Sequence, residues 1–131
     1  MTDPKPSYAA AIIERHDQHF LIALTELAAD GERLWSFPRG SIAAGEPPEV
    51  AMRRIVEADL GLCVEIVIGQ PPIVAEVNAR DVQLRYFFCG VVDGEAKRGP
   101  YADIRWTSKA HLREYDFDQA STPVVKWILD S

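Results

Sequence analysis

The sequence predicts an α/β (α+β) fold in which a mixed β-sheet lies between helical layers. Three observations predict it. Short β-prone apolar runs recur along the chain, one stretch of helical spacing interrupts them near the middle, and a second helical stretch closes the sequence. At 131 residues the chain is long enough for one sizeable core and too short for two ordinary ones. The expected organisation is a loose tail over residues 1–6, with prolines at 4 and 6, and one domain over residues 7–131.

Tyr8 to Ile13 and Phe20 to Leu24 are apolar runs around the polar stretch Glu14 to Gln18, which reads as a hairpin. Leu27 to Arg33 contains Asp30-Gly31 and reads as a loop; Leu34 to Phe37 is a short strand ended by Pro38. Gly40 to Gly45 has little helical character and reads as another loop. From Pro48 the pattern changes: Val50, Ala51, Ile55, Ala58 and Leu62 follow helical spacing, with Pro47-Pro48 at the start and Gly61 as the stop. Cys63 to Ile68 and Val82 to Val92 read as strands, separated by a loop at Gln70-Pro71-Pro72. Asp93 to Tyr101 is a loop, and Ile104 to Trp106 a last strand. Ser108 to Tyr115 reads as a short helix capped by Ser108. Thr122-Pro123 reads as the N-cap and first residue of a terminal helix ending near Leu129.

The net charge of −6 argues against nonspecific nucleic-acid binding, which needs a basic surface to displace counterions. It leaves room for a small phosphorylated ligand held by a few local cations. Cys63 and Cys89 make no metal-binding spacing and sit in apolar runs, so both are expected to be reduced core residues of a cytoplasmic protein. No start resembles a signal peptide and no apolar run is long enough to cross a bilayer, so no membrane association is expected. His16, His19 and His111 are dispersed, which favours surface or turn positions over catalysis. The run Tyr86-Phe87-Phe88 reads as alternating core and cleft wall, with a base-stacking platform as the competing reading.

One stretch carries chemistry. Gly40 is followed after five residues by Glu46; after seven more comes Arg54, then apolar Val56, Gly61 and Leu62. This spacing, with the approach Trp35-Ser36-Phe37-Pro38, resembles the box of the Nudix (MutT-like) hydrolase superfamily. Gly94-Glu95, Arg105-Trp106 and the stretch from Tyr115 to Val124 extend the resemblance to nearly the whole chain. It implies a Nudix-like α/β/α sandwich. It also implies hydrolysis of a nucleoside diphosphate linked to another moiety, with Mg²⁺ or Mn²⁺ clamping the diphosphate.

The family's box supplies carboxylates at helix spacings i, i+3 and i+4, which converge on one face. The resemblance places those positions at Ile55, Ala58 and Asp59, so only Asp59 keeps a charge. A fourth acid, in the loop before the last strand, falls at Pro100. The box is therefore degenerate, and binding of Mg²⁺ or Mn²⁺ is expected to be weak or absent, resting on Asp59 and the Gly40 backbone. Glu57, two residues from Asp59, reads as a surface residue; Asp103 reads as a strand edge unless its loop shifts. Glu46 and Arg54 read as a brace for loop and helix, and with Asp59 they make up the expected catalytic set. Arg39, Gly40 and Ser121 are the expected ligand-binding set. Arg39 suits a phosphate in bidentate fashion or is simply solvated. Ser121 stands where the MutT-type pattern has a base-reading Asn, or serves the start of the last helix. Three functions stay open: a hydrolase of weak or altered activity, a non-catalytic nucleotide-binding or sensing module, and a protein-interaction domain.

Overall fold

The computed structural model describes residues 5–25, 33–77 and 79–130. Among these residues eight strands and two α-helices follow in the order β1 (Ser7–Glu14), β2 (His19–Leu24), β3 (Trp35–Ser36), β4 (Arg39–Ser41), α1 (Pro48–Leu60), β5 (Cys63–Gly69), β6 (Ile73–Val77), β7 (Arg80–Asp93), β8 (Asp103–Ser108) and α2 (Thr122–Asp130). The expected loop over Leu27 to Arg33 lies outside the described residues except for Arg33.

β1 is the axis of a mixed sheet ordered β3-β2-β1-β7-β5. It runs parallel to β7 from Ser7 opposite Gln83 to Glu14 opposite Gly90, while its hairpin with β2 is antiparallel. β8 extends the other side of β2, and β6 pairs with the first half of β7. Successive side chains of β1 point to opposite faces and divide the core in two. Ala9, Ala11 and Ile13 pack with Ala51, Met52, Val56 and Leu60 of α1. Ala10 and Ile12 pack with Val124 and Ile128 of α2. The sheet therefore lies between helices, as the sequence predicts. Among the described residues no helix is long and apolar enough to cross a membrane.

Helix α1 starts after Pro47 with Pro48 in its first turn and ends at Gly61, whose φ of 70° turns the chain out of the helix. Four expectations need correction. Gly40 and Ser41, expected in a loop from Gly40 to Gly45, join Arg39 in β4 against Tyr8 to Ala10; that pairing is made by a distant strand, not by a local apolar pattern. Residues 109–114 form a 3-10 turn, and Ser108 makes no side-chain cap. Thr122 is already helical; Asp118 is the capping residue, accepting from the Ser121 N–H across a short 3-10 turn. Cys63 is exposed whereas Cys89 is buried, both as free thiols. β5 is an edge strand in which Val64 turns inward, so its neighbour Cys63 faces out. β6 had no sequence reading at all.

Candidate functional site

The box links β4, the turn after it and α1. Arg54, on the second turn of α1, donates from Nε and Nη2 to the two carboxylate oxygens of Glu46, each at 2.9 Å. Nη2 also donates to the Ser41 carbonyl at 3.1 Å. Glu46 closes its own turn by accepting from the Ala43 N–H at 3.1 Å. The Arg54 guanidinium and this N–H hold the Glu46 carboxyl below the usual range. Arg54 and Glu46 are thus brought together in a bidentate pair that ties β4 to the helix.

Gly40 faces Ile55 closely: a Cβ on Gly40 would stand 2.9 Å from the Ile55 Cδ1. Ile55 is 6% exposed, so it fills the space between helix and strand with hydrocarbon. Ala58 is exposed one turn on, and Asp59 is partly buried. Burial raises the Asp59 pKa, and the Arg54 charge offsets this only in part.

The segment between β7 and β8 covers this end of the helix. The Lys97 N–H donates to the Leu60 carbonyl at 2.8 Å. Gly99, with φ 54°, packs so closely on the Asp59 backbone that any Cβ would overlap its carbonyl oxygen. Tyr101 follows, only 9% exposed, within the same core cluster as α1. Its phenol pKa is raised by burial and by the Asp59 charge, while the Arg39 backbone N–H opposes the shift. Tyr101 therefore sits beside Asp59 and the β4 backbone. Pro100 and Glu57 are exposed. Asp103 is engaged locally, accepting from the Ile104 N–H at 2.9 Å and from Arg105 Nε at 3.3 Å.

A second polar cluster lies on the other side of β4. Arg39 Nη2 donates to Asp118 Oδ2 at 2.6 Å, with the two side chains 13% and 21% exposed. Asp118 Oδ1 accepts from the Ser121 N–H at 3.0 Å. The Tyr86 hydroxyl, buried beside Arg39, Asp118 and Ser121, donates to the Ala120 carbonyl at 2.7 Å. Burial drives its pKa well above the ordinary tyrosine value, against the pull of Arg39. Arg39 and Ser121 are thus gathered around Asp118 and Tyr86, apart from the Glu46–Arg54 pair. His19 and His111 stay dispersed, each against a local acid.

Tyr101, Gly99 and Asp118 were missed by the sequence reading. Asp118 had a signal, since an Asp three residues before Ser121 fits a helix cap. Tyr101 and Gly99 had none, because their roles depend on a loop folding back onto α1.

Magnesium and manganese ions need several oxygen ligands. Among the described residues no group of three or more His, Cys, Asp or Glu side chains is placed to hold a metal ion. Hydrocarbon at Ile55, a methyl at Ala58 and a lone desolvated carboxyl at Asp59 do not fit such an ion.

A family model for the NUDIX domain matches residues 4–128. Among solved structures, the chain is similar to the Escherichia coli ORF135 protein, with a TM-score of 0.78 and 22% identity over 97% of this chain and 90% of that one. It is similar to MutT, in a structure from work on Aliivibrio salmonicida and Vibrio cholerae, with a TM-score of 0.69 and 27% identity over 95% and 97% of the two chains. It is also similar to the MutT protein of Methanosarcina mazei, with a TM-score of 0.79 and 16% identity over 99% and 94%. No curated protein gives a significant match. Box, layered fold and family match converge: the chain belongs to the Nudix family.

Proposed function

We propose that this Nudix protein binds a small phosphorylated, nucleotide-like ligand and hydrolyses it weakly or not at all with Mg²⁺ or Mn²⁺. One observation carries the reading: Ile55 and Ala58 occupy two of the three box positions where metal-binding carboxylates are expected, and the third, Asp59, lies alone under Gly99 and Tyr101. The frame of the box persists in the Glu46–Arg54 pair. Arg39 is the guanidinium suited to a phosphate, and it reaches one by exchanging its Asp118 partner for the ligand.

The test is a panel of nucleoside triphosphates, dinucleoside polyphosphates and nucleotide sugars, incubated with purified protein and either ion. Turnover is expected to fall about a thousandfold below that of a family hydrolase with a full carboxylate set, because metal stabilisation is worth several kcal/mol. Thermal stabilisation by a panel member without turnover supports the binding reading. Robust turnover lost on Asp59→Asn overturns it. Ile55→Glu combined with Ala58→Glu is expected to raise Mn²⁺ affinity, measured by calorimetry. Unchanged affinity in a folded double variant would show that these positions do not face a cation site.

A further inference from the structure

A groove of about 750 Å³ lies between α2 and the segment that precedes it, with no contribution from α1, β4 or the 94–101 loop. Its floor is apolar and aromatic. Val125 and Leu129 project from one face of α2 at helical spacing, opposite Tyr115 and Phe117. Both rings are held in place from behind. Tyr115 meets Trp35 edge-to-face at 5.2 Å, and Phe117 stacks on Phe37 at 5.5 Å. A floor so fixed costs little ordering when a ring settles on it.

The rim is charged. Arg33, Arg113 and Lys126 border the groove, and among the described residues none of them makes an ion pair or side-chain hydrogen bond. Arg39 and Arg54, by contrast, are paired with acids. Asp116 and Asp130 share the rim, leaving a small positive excess. Such a rim suits one anionic group and opposes a polyphosphate. The volume falls in the usual range for a drug-sized ligand, about 300–1,000 Å³.

We propose that this groove binds a small aromatic anion, at a site separate from the box. The ring lies over Tyr115 and Phe117, and the anionic group meets the cations of the rim.

The experiment uses the full chain and two dyes with a common ring body, 8-anilinonaphthalene-1-sulfonate and the uncharged N-phenyl-1-naphthylamine. The sulfonate is expected to bind saturably, about tenfold or more tightly than the neutral dye. Its induced amide NMR shifts are expected on residues 115–117 and on α2. Arg113→Glu with Lys126→Glu is expected to weaken sulfonate binding about tenfold and leave the neutral dye unchanged. Arg53→Glu, on α1 across the sheet, is the control and should change neither. If the double reversal disturbs the fold, Arg113→Gln with Lys126→Gln removes the same charges and should still weaken sulfonate binding. Equal affinity for the two dyes, indifference to the charge variants, or shifts confined to α1 and residues 94–101 would each overturn the proposal.

Discussion

At the scale of single residues, Asp59 shows how position decides what a carboxylate does. It stands at the edge of a hydrocarbon patch, with Gly99 packed on its backbone and Tyr101 beside it. Burial raises its pKa, so the folded chain holds the proton more tightly than the unfolded chain does. Ionisation therefore opposes folding, and the penalty appears as pH rises from the unfolded value through the folded one. Asp59→Asn is expected to raise the melting temperature near neutral pH. The gain should shrink as pH falls through the raised folded value and vanish below about pH 4, the ordinary Asp range. A fall in melting temperature at neutral pH would show that the Arg54 charge outweighs burial. Glu46 behaves oppositely. Its lowered pKa means that its contribution is present above the unfolded value and lost as pH falls through the folded one. Glu46→Gln should then destabilise the protein near neutral pH, with the difference from the natural chain closing in acid.

The element that governs the site is the segment from Gly94 to Tyr101 lying on the end of α1. Gly99 allows that contact, since it has positive φ and touches backbone that cannot move aside. Gly99→Ala is expected to cost about 2–4 kcal/mol in urea unfolding, combining left-handed strain with overlap. Hydrogen exchange at the Lys97 amide should accelerate as its bond to Leu60 is lost. Gly45 is the comparison, because it has φ 75° and nothing within 4 Å of its missing Cβ. Gly45→Ala should cost only the strain, about 1–2 kcal/mol. Equal costs at the two positions would mean that the segment does not bear on the helix as described. Whether this segment lies on α1 was not legible in the sequence. Asp93 to Tyr101 reads only as a loop, and nothing local says what a loop folds against. The helix beneath it was legible to both ends, because prolines, helical spacing and Gly61 act within a few residues.

For the molecule as a whole, β7 joins the two halves of the core. Tyr86 points into the layer with α2 and Phe87 into the layer with α1, both nearly inaccessible. The Tyr86 hydroxyl ties the central sheet to the start of the last helix through Ala120. Tyr86→Phe leaves a buried carbonyl without its donor and should cost about 1–2 kcal/mol of global stability by denaturant unfolding. A neutral result would show that the carbonyl finds another donor or water.

The sequence by itself determined the family, the α1 helix with both its ends, and the strands of the sheet other than β4 and β6. All of these rest on residue identity at fixed spacing, which local geometry converts directly into a face or a turn. Only the tertiary structure decided that residues 39–41 join the sheet, that Asp118 holds Arg39, and that Cys63 faces outward on an edge. It also decided that Tyr101 lies against Asp59. Each of these depends on a partner brought from far along the chain, and such meetings follow from how the layers pack.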